Sequence, residues 1–207
     1  MPDKAIALPL PAADLRHKLG DAILNLVLQV PTSTESEMTQ PLIRAQAIAR
    51  SAARQAGLMA ASLALPPGVL GWLTVLPELV AVWRLQAQLV SDIAASYGKT
   101  ATLSREHMLY CLFRHVSAQL FRDVVVRVGE RFMIRRASLA FLQSLTKTLG
   151  VKVTQSIIGK GAARLVPLIG AVGVGAYAYF DTQQVAKTAI ELFSRDIVTD
   201  HPAPAAS

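Results

Sequence analysis

The chain has 207 residues, 52% of them apolar and only 17% charged, with a formal net charge of +7. That length supports one domain with a real core, and an excess of alanine and leucine over aromatics favours closely packed helices over a β-rich fold. A single cysteine, Cys111, excludes an internal disulfide framework.

The first residues, MPDKAIALPLPAADLR, carry prolines and acids where an export signal needs a basic start and an unbroken apolar run. The protein is therefore expected to stay in the cytoplasm and not to be secreted. Its positive charge is localised. Between Arg105 and Arg164 eleven Lys/Arg stand against three acids, while the rest of the chain is nearly balanced. Such a basic region attracts an anionic membrane surface, nucleic acid or an acidic protein, and in so apolar a chain lipid is the favoured partner. Nucleic acid is not expected, because no aromatic is interleaved for base stacking and no recognition motif appears.

Residues 1–11 read as an extended, Pro-spaced arm. Asp14 can cap a helix from Leu15 to about Val30, and the polar PTSTESEMTQ at 31–40 reads as a linker. A helix then starts near Pro41 and runs to about Leu65. In it Ala45, Ala49, Ala53 and Ala52, Ala56, Ala60 form small-residue stripes that let backbones approach.

The stretch from Leu65 to Thr100 organises the rest. Pro66, Pro67 and Gly68 break any helix; Gly71 and Trp72 follow; Pro77 and Glu78 then suit the first turn of a new helix. Leu79, Val82, Trp83, Leu89, Val90 and Ile93 give that helix a broad apolar face, against a narrow polar stripe of Arg84, Gln88 and Asp92. Tyr97 and Gly98 close it. Ser104 is a candidate N-cap for a helix across 105–121, and 122–149 reads as one or two further helices in which Arg127, Arg131 and Arg135 recur every four residues beside Arg136. Gly150 is expected to end that segment, and 151–158 is ambiguous. An apolar run at 165–180, with Pro167, Gly170 and Gly173, leads into a helix to about Val198. The expected architecture is all-α: a single-domain bundle of about seven helices over 12–198, with a Pro/Gly-broken apolar hairpin around 66–77 and a disordered tail at 199–207.

Two stretches bear on membranes. No charge lies between Arg54 and Glu78, but Pro66-Pro67-Gly68 divides that run into short arms; 165–180 is apolar but marginal in length. Both suit either the core of a soluble bundle or partial insertion beside the bilayer.

Little catalytic chemistry is visible. Gly98-Lys99-Thr100 imitates the end of a phosphate-binding loop, but Ile93 stands where that motif needs glycine, and a helix precedes it. The glycines from Gly173 to Gly175 resemble a dinucleotide fingerprint without the required βαβ context. His107, Cys111 and His115 are spaced for one helix face, too far apart along the axis for one ion to take all three. Glu78 is the one carboxylate in a long apolar neighbourhood, and an enzymatic role for it would need a polar pocket with a further titratable group. No catalytic residue, metal or cofactor is expected.

The motif of broken apolar turn, Pro77-Glu78 helix start and closing Ala94-x-x-Tyr97-Gly98, followed by Pro167, Gly170, Ala171 and Gly173, resembles the bacterial EcsC-like family over roughly residues 40–195. The resemblance implies a non-enzymatic protein at the cytoplasmic face of the inner membrane, an accessory to a transporter or envelope system with a possible membrane-protein partner. There Arg127, Arg131, Arg135 and Arg136 would face anionic lipid or a partner, and Pro66, Pro67, Gly68, Trp72, Pro77 and Glu78 would form the inserting or packing hairpin. The alternative is a soluble helical module that binds a lipid-like ligand or a partner helix in an apolar groove. Neither reading specifies an oligomeric state.

Overall fold

The computed structural model describes residues 12–63, 75–122, 124–128, 131–160, 167–195 and 197–200. These are mostly helical. Six α-helices are described, where about seven were expected: α1 (Ala12–Leu28), α2 (Pro41–Leu63), α3 (Val75–Ser96), α4 (Arg105–Phe113), α5 (Leu139–Lys160) and α6 (Pro167–Phe193). Pro66, Pro67, Gly68 and Trp72 of the expected hairpin lie outside the described residues, as do the arm at 1–11 and residues 201–207.

Helix α3 runs through the interior, burying Trp83, Ala87, Leu89, Val90, Ile93 and Ala94. It opens at Val75, two residues ahead of the expected Pro77, and carries Glu78 in its first turn. It closes on Gly98, whose φ of 67° is the left-handed conformation that glycine adopts without strain. There the Gly98 N–H donates to the Ala95 carbonyl and the Lys99 N–H to the Ala94 carbonyl, satisfying two orphan acceptors of the last turn.

Residues 31–40 cover part of the polar stripe of α3, leaving Arg84 exposed. Gln88 donates to the Thr32 carbonyl (3.0 Å) and to Asp92 (2.8 Å), Ser33 donates to Asp92 (2.6 Å), and Ser91 donates to the Pro31 carbonyl (2.7 Å). Further on, the Met38 N–H donates to the Ser96 carbonyl, and the Arg44 Nε donates to Glu35 (2.9 Å). The expected linker is thus a strap laid along α3.

Helix α4 is buried along its length, from Glu106 through Phe113. Ser104 caps it as expected, in a capping box where His107 takes the place usually held by Glu or Gln. The Ser104 N–H donates to His107 Nδ1 (3.2 Å), so the ring proton sits on Nε2, which finds no partner among the described residues. Glu106 accepts from the Ser104 hydroxyl (2.6 Å) and the Ala137 N–H (3.0 Å). Trp83 meets Phe113 edge-on with ring centres 5.4 Å apart, and His107 stacks on Phe193 of α6.

Two segments depart from the expected helices. Helix α4 stops at Phe113 rather than near 121 and is followed by a 3-10 turn at Ala118–Phe121. Then β1 (Val125–Val128) and β2 (Arg131–Arg135) form an antiparallel hairpin, and β3 (Ile197–Asp200) adds in parallel to β2. The run Val124–Val126 with Val128 explains the hairpin, because β-branched side chains pack better on a pleated surface than on a helix. The last helix ends at Phe193 rather than near Val198, and β3 takes in Ile197 and Val198 from its expected end and Thr199 and Asp200 from the start of the expected tail.

The second departure is that α5 continues straight through Gly150. Here the glycine is needed for proximity. A Cβ at Gly150 would stand 2.6 Å from the Arg16 carbonyl oxygen and 2.9 Å from the Gly20 nitrogen, so α1 and α5 cross backbone to backbone.

Candidate functional site

A cavity of about 470 Å³ lies between α2, α3, α4, α5 and α6. Its walls are apolar: Leu79, Val82 and Trp83 from α3, Leu112 and Phe113 from the end of α4, Val174 and Ala178 from α6. Small residues make the room, since the α2 stripe presents Ala60 here and α6 presents Ala178. The stripe forms as its spacing predicts, with Ala45, Ala49, Ala53, Ala56 and Ala60 all buried.

Polar groups reach the cavity from four different elements. Glu78, only 3% exposed, comes from the first turn of α3, Lys152 from α5, and Tyr177 and Asp181 from successive turns of α6. His115 is carried in by the turn that follows α4. Its Nε2 donates to Asp181 Oδ1 at 2.7 Å, and Gln86 donates to Asp181 Oδ2 at 2.7 Å and to Thr182 at 3.1 Å. Asp181 is therefore held on both oxygens, and the His115 ring is oriented by a carboxylate. Partial burial, reinforced by the Asp181 charge, pushes the Tyr177 phenol up to about 12. Chemically, the arrangement can accept an elongated apolar group and present charged and hydrogen-bonding groups at its side.

Glu78 shares the cavity with other titratable groups, but the walls are mainly apolar and do not make the polar pocket that an enzymatic role needs. His107, Cys111 and His115 do not form one helix face, because α4 ends between Cys111 and His115. His107 serves the cap, Cys111 is buried, and His115 pairs with Asp181. Among the described residues no group of three or more His, Cys, Asp or Glu could hold a metal ion.

The arginine stripe does not lie on a helix. In the hairpin register Arg127 pairs with Phe132, and Val128 pairs with Arg131. Arg127 and Arg135 stand in β1 and β2, and along β2 the exposed Arg131 alternates with the buried Phe132 and Ile134. A spacing of four is even, and so suits a two-residue period as well as a helix. Arg131 and Arg136 are exposed. Of the other expected site residues, Tyr97 is half-buried beside the Gly98 cap, and Pro167 and Gly170 fall in the first turn of α6. Gly173 is exposed, with nothing within 4 Å of a Cβ there among the described residues. The close approach falls at Gly175 instead, where a Cβ would stand 2.7 Å from the Gly57 carbonyl oxygen.

Lys152 and Tyr177 were not picked out from the residue pattern, and His115 and Asp181 were not linked. They lie on separate elements, so no local spacing connects them. The available hint was that Asp181 is the first charge after a long uncharged run.

The family model for the EcsC protein family matches residues 7–195, reaching back through α1, and the chain belongs to that family. No curated protein and no solved structure gives a match.

Proposed function

We propose that this member of the EcsC family is a non-enzymatic helical module that docks peripherally on the cytoplasmic face of an anionic membrane through the outer surface of α2 and α6. The observation that carries the reading is exposed apolar surface on two touching helices. Leu58, adjoining the Gly57 crossing point, is 74% exposed, and Val172 and Phe180 on α6 are 68% and 67% exposed. Val172, Ala176 and Phe180 recur every four residues, and no charge falls on α6 before Asp181. Arg54 and Arg50, both exposed, stand one and two turns before Leu58 on α2. Large apolar side chains beside arginine suit an interface with lipid head groups.

No helix of the described residues is long and apolar enough to cross a membrane, which favours docking over spanning. Each large side chain contributes roughly 1.5–3 kcal/mol on full burial, and each basic residue about 1 kcal/mol near an anionic surface. Arg131 and Arg136 would add long-range attraction. Assistance to a transporter or another envelope system is the matching cellular role, by analogy with the family name.

Co-sedimentation with vesicles of phosphatidylserine and phosphatidylcholine tests the docking. A Leu58→Ser/Val172→Ser/Phe180→Ser variant is expected to bind at least about tenfold more weakly. Arg131→Gln/Arg136→Gln should weaken binding less, and only at low salt. Full binding by the triple serine variant would overturn the reading.

The cavity supports a second reading, in which the module accommodates a lipid-like ligand. Its volume lies within the range of about 300–1,000 Å³ usual for small-molecule sites.

A further inference from the structure

We infer that the cavity beside Trp83 is a binding site for a fatty carboxylate, with the hydrocarbon between Trp83, Phe113 and Val174 and the carboxylate at Lys152. The inference rests on the second reading above and adds the chemistry of the head group.

The apolar part follows from the walls. Two aromatic rings, held edge-on to each other, and the aliphatic side chains of Leu79, Val82 and Val174 offer a surface that a flexible chain can cover without leaving a polar group unpaired. The head group follows from the charges. Two carboxylates and one ammonium line the cavity, so a simple count points to a cationic ligand. Their hydrogen bonds set the ammonium apart. Asp181 already accepts from His115 on one oxygen and from Gln86 on the other. Glu78 is likewise engaged within the protein.

Lys152 differs. It is half-buried on α5, and among the described residues the ion pairs are Arg44–Glu35, Arg114–Glu191 and His115–Asp181, none of which includes it. Its N–H donors are therefore the ones left over for a ligand, and an anionic head can accept them in charge-assisted hydrogen bonds. The carboxylates in the wall keep the site from attracting small hydrated anions strongly, so the hydrocarbon supplies most of the affinity and Lys152 selects the head.

Isothermal titration calorimetry on the full chain, below the micellar concentration, tests this with dodecanoate, methyl dodecanoate and dodecylammonium. Dodecanoate is expected to bind about tenfold or more tightly than its methyl ester, and Lys152→Met to abolish that preference while leaving the ester unaffected. A Val174→Trp variant, which fills the apolar part, should lose both ligands. Equal binding of acid and ester would overturn the head-group assignment while leaving the groove reading intact. Preference for dodecylammonium would overturn it too, because the wall carboxylates would then set the sign. Binding that survives Val174→Trp would place the ligand outside the cavity, and absence of binding by all three ligands would remove both readings.

Discussion

Among the described residues two pairs of helices cross through glycine, with opposite results. Where α1 meets α5, Gly20 and Gly150 bring the backbones together, and the surrounding positions are large: Leu15, Leu19, Ile23, Leu142, Leu145 and Leu149 are all buried. Where α2 meets α6, Gly57 and Gly175 do the same, but the neighbours are Ala53, Ala56, Ala60 and Ala178. Small residues draw helices together without filling the space beside the crossing. The first crossing is therefore shut by leucine and isoleucine, whereas the second leaves a cavity at its flank and large apolar side chains on its outer surface. One device closes a core in one place and keeps a site open in another.

The contrast can be broken most forcefully at Gly150. Gly150→Val should destabilise by about 3 kcal/mol or more, because its Cβ would meet backbone atoms of α1 that cannot move aside. Urea denaturation reads this directly, and a variant as stable as the parent would mean that the helices can slide apart.

Acid probes the closed interior around α4. Burial holds the His107 imidazole at about 4, against 6.5 for an ordinary histidine. As pH falls from 6.5 towards 4 the unfolded chain takes up a proton that the folded protein refuses, so stability is lost across that window, on the order of 3 kcal/mol, and is fully present above it. Urea midpoints at pH 7, 5.5 and 4.5 should fall in that order; a flat profile would contradict a buried neutral ring.

The smallest effects sharpen the open crossing. Gly175→Ala should cost about 2 kcal/mol, since its Cβ would lie 2.7 Å from the Gly57 carbonyl oxygen and 2.9 Å from the Ala61 Cβ. Gly173→Ala, two residues away and exposed, should instead raise stability by about 0.5–1 kcal/mol through helix propensity. If both changes acted alike, the close contact would not be specific to Gly175.

Much of the helical frame was legible because local rules act within a few residues. The alanine stripes of α2, the Pro77-Glu78 start, the Gly98 stop and the Ser104 cap each depend on neighbours in sequence. The hairpin at 125–135 was missed because arginines spaced by four fit two periods at once, although the valines around them favoured the strand. Gly150 looked like a helix end because the backbone it touches belongs to α1, more than a hundred residues earlier. The cavity was hidden for the same reason. Glu78, His115, Lys152 and Asp181 become neighbours only after five helices have packed, and Asp181 and Gln86 are joined across 95 residues.

The strap at 31–40 has a consequence for how this chain can vary in length. Surface connections usually tolerate insertion, because lengthening a flexible loop costs little entropy. This one is tied down at both ends. Ser33 is held to Asp92 and Met38 to Ser96, so five residues of strap stand against one helical turn of α3, about 6 Å of rise. Fully extended, five residues cover more than twice that distance, so the segment carries slack that can absorb an added residue between the anchors. Homologous chains that keep Gln88, Ser91 and Asp92 should therefore keep the strap groups that pair with them, while the length between Ser33 and Met38 is free to change.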